Sequence, residues 1–430
     1  MTLVGIRRVA RAAKPGGARR GVVEIVLGTV VGQGLLVAVS PLLSRLYAPG
    51  DFAVLQIFTG VVATCAVLAS LRLELAIPLA KDAHETRAVL RAGLLGTVVV
   101  AVLIWVVGAA TADLWATSET WATLADLWWL VPVTVAAIAV FQLISAVLVR
   151  AERYRDLAGR NAAQGIGTTL TQLGLGALGM RPLGLLLGMS LGRLAGLASI
   201  ARRPLIEQDD EPRRPVTVRD VGAALARFRR FPLVTTWTAL LNNIGQYAPY
   251  VVFALAFGPD PTGWLAFTTR LLALPVTVVG QAVAQVFLGR GATARRENSG
   301  RLPQLTWLAV RRLALLGAGP VVVLAAFGPW LFTWVFGAQW ERAGTYAQVL
   351  AVAFLLQFVA SPVSNVFNLV GRQGVALVWE AVRLVVVVVA PLIVAWMGGS
   401  DVAGVAAYAG ALGFSYAGVL LLVRWVLRRA

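Results

Sequence analysis

The sequence predicts an all-α polytopic membrane protein of about twelve transmembrane helices in two pseudo-symmetric six-helix lobes. Three observations predict it. Of 430 residues 58% are hydrophobic and only 13% charged, more apolar material than a soluble core of this length uses. Apolar runs long enough to cross a hydrocarbon core, which takes about 20 helical residues, recur along the chain. Basic residues fall in every second loop, the positive-inside pattern.

The expected spans are 21 to 44, 52 to 77, 89 to 112, 124 to 149, 159 to 180, 183 to 201, 232 to 257, 263 to 288, 305 to 327, 346 to 370, 374 to 397 and 402 to 427. A basic tail (Arg7, Arg8, Arg11, Lys14, Arg19, Arg20) precedes the first. That first run is too long for a signal peptide and no small-x-small cleavage site follows it, so it reads as a span. Lys81, Arg87, Arg91, Arg150, Arg153 and Arg155 mark the next inner loops, and Arg428 and Arg429 end the chain. Both termini are therefore expected on the inner, cytoplasmic side of the membrane. The alternate loops are short or acidic, and Trp115, Trp121, Trp128, Trp129, Trp264, Trp330, Trp334, Trp340 and Trp396 cluster at their edges as an expected outer aromatic belt.

Residues 202 to 230 are the most polar stretch, rich in Arg, Asp, Glu and Pro. They divide the spans six and six, giving an N-lobe at 1–201, an Arg-rich cytoplasmic linker at 202–230 and a C-lobe at 231–430. The first hairpins of the two lobes share a pattern: Tyr47, Pro49, Ala53 and Leu55 match Phe257, Pro259, Gly263 and Leu265. Duplication with both termini inside relates the lobes by an axis along the membrane normal, and the chemistry is then expected between them.

Several classes are excluded or disfavoured. The formal charge of +18 is spread over alternate loops rather than one patch, so nucleic acid is not an expected partner. One cysteine, Cys65, excludes an intramolecular disulfide, and the lone His84 has no second ligand nearby, so no metal or cofactor is expected. The only lysines are Lys14 and Lys81, which leaves no phosphate-loop lysine for an ATPase. No sizeable outer catalytic loop supports a glycosyltransferase or polymerase, and the chain is expected not to be an enzyme.

Polar residues recur at helical spacing inside particular spans. Span 8 carries Arg270, Thr277, Gln281 and Gln285, at separations of 7, 4 and 4 residues. Span 10 carries Gln357, Ser361, Ser364, Asn365 and Asn368, and span 7 Asn242, Asn243 and Gln246. Span 11 has Glu380 and Arg383, span 1 Gln33, Ser40 and Ser44, span 2 Gln56, Ser70, Arg72 and Glu74, span 4 Gln142 and Ser145, and span 5 Asn161, Gln164, Thr168 and Gln172. The first, second, fourth and fifth helices of each lobe are thus striped, while the third and sixth suit lipid or packing. Span 6 places Gly184, Gly188, Gly192 and Gly196 every four residues, a ridge for close helix approach.

The strings SRLYAPGDFAVLQIF (44 to 58), LRLELAIPLAKD (71 to 82), TRLLALPVTVVGQAVAQVF (269 to 287), SPVSNVFNLVGRQ (361 to 373) and WEAVRLVVV (379 to 387) resemble bacterial polysaccharide-biosynthesis membrane proteins. More specifically the chain is similar to the repeat-unit flippases for O-antigen, capsule or exopolysaccharide, in the superfamily that holds MATE exporters and lipid II flippases. The resemblance implies a V-shaped pair of bundles that alternates between inward and outward openings and turns over an undecaprenyl-diphosphate-linked oligosaccharide. Its implied partners are that lipid-linked substrate, membrane lipids and polysaccharide polymerase or assembly proteins. The basic tail and the Arg-rich linker depart from the family pattern.

Arginine suits a diphosphate because its planar fork stays charged and donates several hydrogen bonds. Arg72 and Arg270 are the expected diphosphate contacts; the competing readings are snorkelling for Arg72 and pairing with a carbonyl or acid for Arg270. Asn242, Asn243, Gln246, Gln281, Gln285, Gln357, Asn365, Asn368 and Arg383 are substrate-binding candidates, with helix-to-helix hydrogen bonding as the alternative. Glu74 and Glu380 are candidates for ion coupling. Glu380 and Arg383 also have the spacing of an intrahelical ion pair, as do Arg20 and Glu24, whereas Arg72 and Glu74, two apart on a helix, are expected to face different ways. A drug or cation exporter of the same fold is the alternative function, disfavoured because spans 7 and 8 contain no acid. A non-transporting scaffold whose linker binds lipid or a partner leaves the stripes unexplained.

Overall fold

The computed structural model describes residues 34–36, 38–115, 119–202, 204–206, 214–297 and 300–429. Span 1 is described only from residue 34, so Gln33, the basic tail and the Arg20 and Glu24 pairing lie outside the described residues. Among the described residues the regular structure is helical, without strands. The helices are α1 (Ser40–Leu46), α2 (Pro49–Ser70), α3 (Ala83–Trp115), α4 (Glu119–Asp126), α5 (Leu130–Arg150), α6 (Tyr154–Ala177), α7 (Leu183–Ala198) and α8 (Val218–Arg227). They continue as α9 (Thr236–Ala256), α10 (Pro259–Arg296), α11 (Leu302–Phe336), α12 (Glu341–Val363), α13 (Val366–Val370), α14 (Gln373–Trp396) and α15 (Asp401–Arg429).

Each expected span from the second to the twelfth coincides with a described helix or helix pair. Among the described residues seven helical stretches are long and apolar enough to cross a membrane: α2, most of α3, α5, α11, the run containing α12 and α13, α14 and α15. The protein is a multi-pass membrane protein. Two helices outside that set, α6 and α9, lose apolar character to Asn161, Gln164 and Gln172 and to Asn242, Asn243 and Gln246, residues of the sequence stripes.

Two spans end differently from the sequence reading. Span 2 was expected to run to residue 77, but α2 stops at Ser70, and Leu71 and Arg72 turn into left-handed backbone with φ of 51° and 57°. Two tight turns follow, Leu73–Leu75 and Ile77–Leu79. Leu73, Ala76 and Ile77 are buried in these turns, and their burial offsets the strained dihedrals of Leu71 and Arg72. Span 10 breaks at Ser364, two residues after Pro362, and restarts as the short α13.

The chain divides into two compact units. One comprises Phe58–Ile244 with the described residues before Tyr47. In it α7 lies against α6 along its glycine ridge: a Cβ at Gly188 would meet Gln172, one at Gly192 would overlap Thr168, and one at Gly196 would press on Phe141 and the Arg160 carbonyl. Removal of those methyl groups lets the two backbones approach, the use of small residues expected in membrane helices. The Thr134 and Ser190 hydroxyls, 2.6 Å apart, pin α5 to α7.

The described part of the basic linker packs against this same unit. Thr217 caps α8 in a capping box with Asp220, and Val221, Ala224, Leu225 and Phe228 form its apolar stripe against the N-terminal end of α3 and the turn residues Leu73 and Ile77. Polar clasps surround that contact. Arg227 pairs with Glu85, Arg91 donates to the Val216 carbonyl at 2.6 Å and His84 Nε2 stands 3.4 Å from Asp220.

The second unit comprises Tyr47–Ile57 and Gly245–Ala430. Here the two matched corners lie in contact. Gly263 abuts the Pro49 backbone so closely that a Cβ would overlap its carbonyl, and a Cβ on Gly50 would reach the Asp260 carboxylate. Each corner starts its helix with proline in the first turn, and Asp51 returns a 2.8 Å bond to the Ala48 N–H. Phe52 sits edge-on to Phe267 at 5.1 Å and to Trp340 at 5.3 Å. Trp340 is fully buried, so it belongs to this core and not to the outer aromatic belt; Trp330 and Trp334 are exposed and stack on each other. Arg342 grips Asp401 through two nitrogens at 2.8 and 3.1 Å, and the Tyr346 hydroxyl donates to the same carboxylate at 2.6 Å, tying α12 to α15.

Replacement of Gly263 by Ala is expected to cost about 1–3 kcal/mol through overpacking, read as a fall in thermal unfolding temperature in detergent. Gly410→Ala, where the added methyl meets open space, should leave the temperature unchanged or slightly raised.

The Asp220 carboxyl is held below its ordinary value of 3.8, first by the Thr217 N–H, then by the Thr217 hydroxyl, with His84 adding a smaller pull. A depressed carboxyl stabilises the folded form above its unfolded pKa and loses that contribution as pH falls through the folded one. Amide-exchange protection of Val218–Arg227 should therefore hold from pH 7 to about 4 and fall below it, a step that Asp220→Asn abolishes.

Candidate functional site

Polar residues of the membrane helices sort into those used up by their own unit and those left open. In the first unit Asn243 is used up, since its amide donates to the Ala63 carbonyl at 3.0 Å and pins α9 to α2. Asn242, its neighbour, is exposed.

Arg72 and Glu74 correct the sequence reading. They form an ion pair at 3.2 Å, with side chains 27% and 11% exposed. They were expected to face apart because residues two apart on an α-helix do so; the left-handed turn at Leu71 and Arg72 removes the helix from under them. The Arg72 charge is thus spent on Glu74 in this conformation.

A buried cation that sequence reading missed lies nearby in the chain. Arg160, at the start of α6, is 2% exposed. It stacks over Phe141 at 3.7 Å and donates to the Phe141 carbonyl at 2.9 Å, to Ser145 and to Asn161. No carboxylate faces it among the described residues, so carbonyl, hydroxyl and ring hold the charge. Its sequence signal was its place inside the striped span 5, beside Asn161.

In the second unit α10 presents two distinct faces. Leu265, Ala266, Thr269, Leu272, Ala273 and Val276 pack into the unit's core, where the Thr269 and Tyr250 hydroxyls meet at 2.8 Å. Arg270 and Thr277 lie about 100° around the helix from the centre of that face. Arg270 is half-buried, Thr277 and Gln285 are exposed, and the Gln281 side chain lies outside the described ones. Among the described residues Arg270 joins no ion pair. The stripe is therefore not consumed by its own unit.

Neighbouring helices leave similar groups. Gln246 is exposed on α9 and Asn368 on α13, Gln357 is half-buried on α12, and Asn365 spends its amide on the Pro362 carbonyl at 3.0 Å. With the break at Ser364, the span 10 residues do not form one continuous helical row. On α14 Arg383 and Glu380 make the expected intrahelical pair, Nε to Oε2 at 2.7 Å, and Arg383 also hydrogen-bonds the Tyr416 hydroxyl. That arginine stands beside a run of tyrosines, Tyr416, Tyr408 and Tyr250. Both candidate coupling acids, Glu74 and Glu380, thus carry an arginine partner. Among the described residues no group of three His, Cys, Asp or Glu side chains is placed to hold a metal ion.

Comparison with known proteins places this arrangement. Residues 42–345 match the family described as polysaccharide biosynthesis protein. The chain belongs to that family. It is 28% identical over 146 residues to the teichuronic acid biosynthesis protein TuaB of Bacillus subtilis (strain 168), a match that spans 33% of this chain and 29% of TuaB's length. Among solved structures it resembles an inward-facing multidrug resistance MATE family transporter of the MOP superfamily, with a TM-score of 0.73 at 16% identity over 95% of this chain and 98% of that one. It also resembles the lipid II flippase MurJ in an inward closed conformation, with a TM-score of 0.71 at 11% identity over 94% of this chain and 87% of that one. The fold is therefore MATE-like.

Arg72→Ala is expected to cost about 1–3 kcal/mol of stability, because it strands the Glu74 carboxylate among apolar neighbours. Arg72→Met combined with Glu74→Met should recover most of the loss, and thermal unfolding of both variants in the same detergent measures the difference.

Proposed function

We propose that this protein moves undecaprenyl-diphosphate-linked repeat units across the bacterial cytoplasmic membrane by alternating access, supplying surface polysaccharide synthesis, and that it acts as a carrier and not as an enzyme. The observation that carries this reading is Arg270: a cation within a membrane helix, without an acid, at the head of a polar stripe its own unit leaves open. A diphosphate brings negative charge and several acceptor oxygens, which a guanidinium fork meets in shape and charge. Sugar hydroxyls find amide partners in Gln246, Gln285, Gln357 and Asn368 of this unit, and Arg383 offers a second cation once Glu380 is displaced. Membership in a polysaccharide biosynthesis family supports the substrate class. Both termini and the Arg-rich linker are read as cytoplasmic from the positive-inside pattern, and polymerase or assembly proteins are the expected partners of the pathway.

The exporter alternative requires an acid free to attract a cation or exchange ions. The two in-span acids the sequence offered are each paired with arginine, which favours the anionic cargo.

A deletion strain complemented with variants tests the proposal. Loss of the protein should leave lipid-linked repeat units in the inner leaflet and cut surface glycan, and normal glycan with altered drug tolerance would sink it. Arg270→Ala should lower surface glycan at least about tenfold at equal membrane expression, with Arg270→Lys intermediate because charge survives without the fork. Full export by Arg270→Ala would remove the assignment.

A further inference from the structure

A cavity of about 350 Å³ opens between α10 and α11 in the second unit, away from the stripe that carries Arg270. Its wall on α10 is Val283, Val286, Phe287 and Arg290, at offsets of 3, 4 and 7 residues from the first. On α11 it is Leu305, Leu308, Ala309, Arg312, Leu313 and Leu316, again one helical face. The groove is apolar except for one arginine on each wall. Arg290 lies about 9 Å from the end of α10 and Arg312 about 15 Å from the start of α11, so the two guanidinium groups stand on facing walls at depths about 6 Å apart, with Val283, Leu313 and Leu316 beyond them. Val286, Leu308 and Leu316 are 57%, 43% and 59% exposed, which leaves the groove open along its side.

Charge points to the occupant. From Gln281 to Gly317 the sequence carries Arg290, Arg295, Arg296, Arg301, Arg311 and Arg312 against a single acid, Glu297. Among the described residues neither Arg290 nor Arg312 joins an ion pair. Two unneutralised guanidinium groups facing each other across an apolar trough match a molecule with one anionic head and hydrocarbon chains. The loop between α10 and α11 is on the basic, inner side, where anionic lipid attracts clustered arginine.

We propose that this groove binds one anionic phospholipid of the inner leaflet, with its phosphate held between Arg290 and Arg312 and an acyl chain along Val283, Val286, Leu313 and Leu316. Arginine forks bind phosphate through paired hydrogen bonds. A zwitterionic head brings its own ammonium to the same two cations and is disfavoured by repulsion. This lipid is a resident ligand, separate from any cargo.

The test uses the full chain in mild detergent and native mass spectrometry, titrating phosphatidylglycerol and phosphatidylethanolamine in turn. One phosphatidylglycerol should be retained per chain with about tenfold or greater preference over phosphatidylethanolamine. The double variant Arg290→Gln with Arg312→Gln should lower its retention at least about tenfold and abolish the preference. Arg295→Gln with Arg301→Gln, which removes equal charge from residues outside the groove wall, should change retention less than about twofold. Ala309→Phe keeps both arginines and fills the trough, so it should also displace the lipid and remains informative if the double variant does not fold. Equal retention of the two lipids by the unmodified chain overturns the proposal. So does undiminished retention in the groove variants, or an equal loss in the Arg295 and Arg301 variant. Displacement of phosphatidylglycerol by undecaprenyl phosphate at a tenfold lower concentration would assign the groove to the cargo instead, and equally overturn it.

Discussion

Ionised side chains placed among apolar helices must find a partner, reach water or remain available for a ligand, since lipid offers none of these. The arginines of this chain show the first two solutions at several depths. Arg72 takes Glu74, Arg383 takes Glu380 and Tyr416, Arg342 takes Asp401, and Arg160 rests on a ring, a carbonyl and a hydroxyl. Against that background Arg270 stands out because its own unit supplies the apolar core on one face of α10 and no acid on the other. The same accounting separates amides that hold helices together, such as Asn243, from amides that stay open, such as Gln246.

Close backbone approach is the second constraint, and glycine meets it in both units. The ridge on α7 lets α6 come near enough for Gln172 to donate to the Leu185 carbonyl at 3.2 Å. At the matched corners Gly263 accepts the Pro49 backbone, which brings Phe52, Phe267 and Trp340 into one aromatic cluster. A side chain at either place would separate elements whose contact buries large apolar rings, so the corner motif read as duplication is also a packing device.

The linker combines charge with an apolar face: α8 and the residue after it use an i, i+3, i+4, i+7 apolar row, Val221 to Phe228, to sit on the N-terminal end of α3. Arg227, Arg91 and Asp220 then act as clasps to that surface. The exposed arginines that remain, including Arg219, Arg229 and Arg230, face away from this docking row.

Hydropathy and loop charge by themselves determined that this is a helical membrane protein, anticipated a helix or helix pair at each expected span from the second to the twelfth, though several helices run well past the expected ends, and singled out the stripe beginning at Arg270, because a long apolar run satisfies its backbone within a helix and lipid taxes each polar group by its position. The Glu380 and Arg383 pair was legible for the same reason, being fixed by helical spacing alone. Only the tertiary structure decided matters that depend on neighbours distant in sequence. The left-handed turn at Leu71 and Arg72, held by burial of Leu73 and Ile77, broke span 2 and so joined Arg72 to Glu74. The Phe52 and Phe267 rings drew Trp340 inward from an expected belt. A helical wheel states which residues share a face, and it is packing that states whether that face is filled, paired or left open.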